Sequence, residues 1–331
     1  MMHTFGVRDG RLVRVPASLA ELPSPPEILW IDLCNPTPEE EKWVERLLGL
    51  QVPTRQEMAE IEESARLYAE HGALVMTAVV INGVAEGRPS RTQVTFVLTK
   101  TNLVSVRYAD PLPFRNFDAK RQRQAEALTT SDRILTSLLE SIVERAADVL
   151  EMVAADLNEV ANRLFIEDDQ GGRRRKAKRV ENELQALIKR LGRKNIILAI
   201  LRESLLSLSR VIPFLREGAR DWLTNGSPAR LKQIDRDLRS LVAYEAQLSS
   251  EIVYLHDATL GLINLDQNRI IKVFSIAAVL FLPPTLVGTI YGMNFATMPE
   301  LQWEYGYGFA LSLMVLSAVV PYYWFKRRGW L

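Results

Sequence analysis

Cysteine is nearly absent. The one residue, Cys34, excludes a disulfide scaffold and any cysteine-rich zinc module. Histidine is almost as scarce: His3, His71 and His256 stand far apart, which leaves no paired spacing for a histidine-built metal site. Neither charge dominates. The 331 residues carry 41 Lys+Arg against 40 Asp+Glu, net +1, which argues against a protein that grips nucleic acid through bulk positive charge. No glycine-rich phosphate loop, nucleophile elbow or other catalytic constellation is visible, so neither an enzyme nor a bound cofactor is expected. The start, MMHTFGVRDGRLVRVP, lacks the apolar centre of a cleavable signal.

What is present is concentrated at the other end. The hydrophobic fraction of 47% is ordinary, but its distribution is not. Between Lys272 and Glu300 lie 27 uncharged residues, VFSIAAVLFLPPTLVGTIYGMNFATMP, and between Glu304 and Lys326 lie 21 more, YGYGFALSLMVLSAVVPYYWF. A bilayer core of ~30 Å needs about 20 apolar residues as a helix, so both runs are long enough to span. Tyr291, Phe295, Trp303, Tyr305, Tyr307, Tyr322, Tyr323 and Trp324 flank them as interfacial aromatics do. Arg269 and Lys272 precede the first run, Lys326, Arg327 and Arg328 follow the second, and the loop between carries Glu300 and Glu304 without Lys or Arg. The positive-inside rule then puts both termini in the cytoplasm and the loop outside.

The fold class expected is α+β: an N-terminal cytoplasmic α/β domain, a long helical bundle with a stalk helix, and two C-terminal transmembrane helices. Its boundaries are 1–125 for the α/β domain, 126–225 for a helical hairpin or bundle and 226–294 for the stalk running into the first span. The external loop is 295–304, the second span 305–325 and the basic tail 326–331. ILWID at 28–32, ALVMTAVVI at 73–81, VTFVL at 94–98 and LVSVR at 103–107 read as strands, the last two as a hairpin turned at Thr99–Asn102. Thr37-Pro38 before EEEKWVERLLGL reads as a capped helix start. Helical periodicity fills 131–216 with a gap at DDQGG, 168–172. The basic run RRRKAKR at 173–179 reads either as a contact for anionic lipid or an acidic partner, or as an ordinary solvated face.

From Ser227-Pro228 no strong breaker appears before Pro283, and 64 residues to position 291 would make a helix of about 96 Å. Leu231, Ile234, Leu238, Leu241, Leu248, Ile252 and Leu255 form a seam that Glu245 interrupts. At 100° per residue the opposite face is Ala243, Ala246, Ser250, Asp257, Gly261, Asn264, Asn268, Ile271, Ser275, Ala278, Leu282 and Thr285. Close packing of small residues between membrane helices explains such a face. So does a water-filled lumen shared by several copies, since two spans cannot enclose a pore alone. Pro283 and Pro284 would free the carbonyls of Val279 and Leu280 and allow a bend, structural or gating.

The first span ends Tyr291-Gly292-Met293-Asn294, and Met298-Pro299-Glu300-Leu301 follows in the loop. Together with QNRIIKVFSIAAVLFLPPTLVGTIYGMNF at 267–295, the closing FKRRGWL and IEESARLY at 61–68, this resembles the CorA family of magnesium and cobalt channels, bacterial type. The resemblance implies a funnel-shaped homopentamer in a bacterial inner membrane passing Mg2+, also Co2+ and in some readings Ni2+, with membrane lipids and divalent ions as its other partners and no nucleic acid. It implies a filter of Gly292, Met293 and Asn294, with Asn294 forming the outer ring. Asn268, Ile271, Phe274, Leu282 and Thr285 would line the pore and Asp257 would face the axis below. The helical face contains all of these but Phe274, one position from Ser275. Glu300 keeps a negative charge at the mouth, but Ala296 stands where the family often has an acidic residue. The resemblance also implies gating by cytoplasmic magnesium; Asp235 and Asp237 are candidate sensors, and Lys326, Arg327 and Arg328 a basic collar at the inner mouth. Two other readings compete: a zinc or nickel transporter of the same superfamily, and a membrane-anchored coiled-coil scaffold that conducts nothing.

Overall fold

The computed structural model describes residues 1–16, 28–123, 128–165, 177–294, 298–299 and 303–328. In chain order the elements are β1 (Met2–Arg8), β2 (Arg11–Arg14), β3 (Trp30–Cys34), α1 (Pro38–Leu48), α2 (Arg55–Ala59), α3 (Glu63–Arg66), β4 (Leu67–Glu70), β5 (Ala73–Asn82), β6 (Ser90–Leu98), β7 (Leu103–Arg107) and α4 (Leu112–Arg123). The long helices follow: α5 (Ser131–Phe165), α6 (Ala177–Gly218), α7 (Ser227–Tyr291) and α8 (Gly306–Arg327). The described residues fall into two compact units, one of residues 1–176 with 185–256, the other of residues 177–184 with 257–331. The division cuts α6 after Leu184 and α7 after His256.

The first unit is built on a seven-stranded sheet ordered β2-β1-β3-β7-β6-β5-β4. The expected strands are there, with β6 starting earlier, at Ser90, and β3 shifted to begin at Trp30. Two hairpins extend the sheet beyond the sequence expectation. β1 pairs with β2 through Asp9-Gly10, whose φ values of 52° and 71° suit a two-residue turn with the right-handed strand twist. β4 pairs with β5 through His71-Gly72 in the same way, φ 48° and 81°. β3 and β7 run parallel at the centre, where Ile31, Leu33, Val104 and Val106 pack with Trp43 and Val44 of α1. Thr37 caps α1 as expected: its hydroxyl accepts from the Glu40 amide, and the Glu40 carboxylate accepts from the Thr37 amide at 2.9 Å.

Charge is buried between the parallel strands. Arg107 donates from Nη2 to Asp32 Oδ2 at 2.8 Å, and Ser105 donates to Asp32 Oδ1 at 2.8 Å. Burial works against the Arg107 charge, but the bonds to Asp32 outweigh it and hold the guanidinium more firmly protonated than usual.

Helix α5, α6 from Gln185 onward and α7 as far as His256 complete this unit. Ser204 of α6 donates to the Val79 carbonyl of β5 at 2.7 Å. The α7 seam is buried at Leu231, Ile234, Leu238, Leu248, Ile252 and Leu255. Glu245 does not break it. Its side chain is 2% exposed within the seam, accepting from Arg202 Nε of α6 at 2.9 Å and from Ser249 Oγ at 2.8 Å. At the head of the bundle Asp132 accepts from the Thr224 amide and hydroxyl at 2.9 and 2.8 Å, fixing the loop that leads into α7 to the start of α5. The interhelical gap at 168–172 and the basic run up to 176 lie outside the described residues.

Candidate ion path on the first apolar helix

Within the second unit, α7 and α8 each hold an apolar stretch long enough to cross a bilayer, almost none of it buried. Val273, Phe274, Phe281 and Leu286 on α7, with Val315, Leu316 and Val320 on α8, expose large apolar side chains. A contiguous surface of this kind belongs in lipid or against other copies.

The two helices cover each other along one stripe apiece. On α7 the partly covered positions are Ile276, Ala277, Val279, Leu280, Pro283, Pro284, Val287, Gly288 and Tyr291. On α8 Gly306 and Ala310 are buried, and Met314, Ser317, Ala318, Pro321 and Phe325 are partly covered. The two stripes meet where a side chain at Gly288 would lie 3.3 Å from Met314 Cε. Pro283 and Pro284 leave α7 helical from end to end.

The polar, small-residue face derived above lies on the opposite side. All twelve of its positions, from Ala243 to Thr285, are exposed. Among the residues assigned to a pore, Ile271 is 61%, Leu282 67% and Phe274 71% exposed. Asp257, Asn268 and Thr285 are exposed too, and so are Gly292, Met293 and Asn294 at the helix end. One chain therefore brings these side chains into a file but not into a ring. Two hydroxyls show how the file is dressed: Thr285 donates to the Phe281 carbonyl at 2.7 Å and Thr289 to the Thr285 carbonyl at 2.8 Å. Each proton is spent on the helix, which leaves the oxygen lone pairs as acceptors for the hydrogens of an ion's water shell. Thr289 was missed from sequence; continuing the same 100° count one turn past Thr285 reaches it.

The other assigned residues are dispersed. Glu300 and Ala296 lie outside the described residues. Asp235 accepts from Arg239 at 2.6 Å and Asp237 from Gln233 at 2.8 Å, so the two carboxylates belong to separate local networks. Among the described residues no three His, Cys, Asp or Glu side chains gather as a metal site within one chain.

An α/β body, a helix bundle and a hairpin of two exposed apolar helices, the first with a polar file left uncovered, define a two-span membrane protein. Residues 26–327 match the family described as CorA-like Mg2+ transporter protein. The chain belongs to that family. It is 32% identical over all 331 residues to the magnesium transport protein CorA of Yersinia pestis, and 33% to that of Escherichia coli strain K12, with 100% of each chain covered. Among solved structures it superposes on the complete CorA magnesium transporter of Methanocaldococcus jannaschii with a TM-score of 0.76 at 18% identity, covering 100% of this chain and 99% of that one. Full-length CmaX gives 0.68 at 17% identity, covering 98% and 96%. At these identities the superpositions speak for the fold.

Proposed function

We propose that this protein is a channel for magnesium influx across the bacterial inner membrane, passing cobalt and nickel as well. It works as a funnel-shaped homopentamer with both termini in the cytoplasm. Residues 1–125 and 126–225 form its cytoplasmic body, 226–294 the stalk and pore helix, 295–304 the outer loop, 305–325 the second span and 326–331 the tail. The observation that carries this is the polar file of α7, turned away from α8 and ending at Gly292-Met293-Asn294. Full-length relatives named as magnesium transport proteins support the choice of ion.

Magnesium holds its octahedral waters tightly and gives them up reluctantly. A ring of Asn294 amide oxygens accepts hydrogen bonds from those waters without stripping them, with Gly292 and Met293 shaping the mouth. A carboxylate ring would bind too firmly for rapid release. Below the ring, Thr285 and Thr289 offer further acceptors. Leu282, Phe274 and Ile271 form the apolar constriction, and Asn268 and Asp257 receive the ion beyond it. Glu300 contributes negative charge at the outer mouth. The membrane potential contributes about 2.3 kcal/mol per charge per 100 mV, so about 4.6 for a divalent ion, and influx needs no nucleotide. Cytoplasmic magnesium closes the channel by binding between copies, with Asp235 and Asp237 as ligands completed by the neighbouring chain.

Magnesium flux into liposomes tests the reading. Wild-type protein is expected to conduct, and Asn294→Ala to lose at least ten-fold in rate. Equal flux through both would remove the filter, and no flux of magnesium, cobalt, nickel or zinc through the wild type would favour a non-conducting scaffold.

A further inference from the structure

Counting inward from the loop, Lys272 lies nineteen residues before Tyr291 at the end of α7. Lys326 lies twenty residues after Gly306 at the start of α8. At 1.5 Å per residue both stand about 29–30 Å from the outer ends, the thickness of a hydrocarbon core. Arg269 and Arg328 stand one tier deeper, each about 33 Å from its own outer end. The two helices thus carry Arg269, Lys272, Lys326, Arg327 and Arg328 within about one helical turn of the same depth, where acyl chains give way to headgroups.

Three observations say what this level meets. First, none of the five cations has a carboxylate partner among the described residues; Asp266, the nearest acid along α7, lies about one turn deeper. Second, Arg269 falls on the same side of α7 as the stripe covered by α8, away from the polar file, and Lys272 stands between that side and the file, one turn from Asn268. Third, the cations border exposed aromatic rings. Tyr323 is 63% and Trp324 54% exposed, and the Arg328 guanidinium lies over the Trp324 ring at 5.0 Å. An acidic protein segment would match the charge but has no use for exposed rings continuous with an apolar span. A phospholipid matches both.

We propose that this tier is a binding site for anionic phospholipid headgroups of the inner leaflet. The idea rests on the membrane orientation proposed above and assigns the basic residues to lipid rather than to a collar turned on the ion. It also answers an electrostatic difficulty. Five unpaired positive charges per chain, repeated in every copy, raise the potential at the exit and oppose a divalent cation. Phosphodiester groups on the outer side cancel that field without occupying the path.

The test uses purified full-length protein and reads binding separately from transport. Native mass spectrometry counts retained lipids after exposure to phosphatidylcholine alone or mixed with phosphatidylglycerol. Wild type is expected to retain phosphatidylglycerol selectively, less so at high salt. Each neutralised cation should weaken retention about five-fold, corresponding to about 1 kcal/mol per basic residue near a surface. Lys326→Gln with Arg327→Gln alters the tail; Arg269→Gln with Lys272→Gln alters α7 and leaves the tail charges that hold topology. Vesicles with phosphatidylglycerol should also carry faster magnesium flux in wild type than in either variant. Equal retention of the two lipids, equal retention by wild type and both variants, or displacement by inorganic phosphate or polyglutamate as effective as by phosphatidylglycerol would overturn the proposal. Failure of flux with selective retention intact would instead sink the channel reading.

Discussion

Asp132 shows what a single side chain holds in this protein. Burial alone would raise its pKa, but hydrogen bonds from Thr130, Ser227 and Thr224 outweigh burial and hold the carboxyl below the usual range. A folded pKa below the unfolded one means the contribution is fully present above the unfolded value, about 3.9, and fades as pH falls through the folded value. Asp132→Asn should therefore lower stability at pH 7 by about 1–3 kcal/mol. The gap to wild type should close below about pH 4, as unfolding midpoints of the detergent-solubilised chain at both pH values would show. Sequence could not have found this clasp, because Asp132 and Thr224 are separated by 92 residues. The Thr37 cap was readable, since donor and acceptor are three residues apart. The Asp9-Gly10 turn is equally local, and its Asp-Gly pair is a hairpin signal in its own right.

At the scale of one element, α7 carries the argument. Its length and seam followed from period alone; the role of Glu245 did not, because the partner comes from another helix. The buried pair is lopsided: Glu245 is 2% exposed and Arg202 52%. Removing each partner should have opposite consequences. Arg202→Met strands a buried carboxylate and should cost about 3 kcal/mol. Glu245→Leu extends the seam, lets Arg202 turn to solvent and should leave stability unchanged or raised. Thermal unfolding of the two variants separates these outcomes, and equal losses would mean that Glu245 is not desolvated. The membrane half of α7 was legible for a related reason. Its polar file repeats at helical spacing, and α8 covers the other side, so the wheel and the exposure pattern agree.

On the pentameric reading proposed above, the whole molecule is more than one chain. A polar file that ends in Asn294 encloses nothing until copies bring their files together, and the apolar surface of the hairpin is too large for water. Native mass in lipid should correspond to five chains of 37.5 kDa. In a Cys34→Ser background, Ser275→Cys and Leu282→Cys should cross-link between copies. Val315→Cys and Val320→Cys, 60% and 61% exposed on α8, should not. Cross-linking through α8 instead would place the wrong helix at the centre.

The amino-acid order was sufficient for the two spans, the long helix, its seam and its polar face. Each is a repeat of composition along a few turns of chain, and the hydrophobic effect reads such repeats locally. The strand order around the parallel pair of β3 and β7, the burial of Asp32 with Arg107, and the place of Glu245 in the seam emerged only in three dimensions. They depend on which segments land beside each other, and a charge can be buried only where a partner far along the chain arrives to compensate its lost hydration.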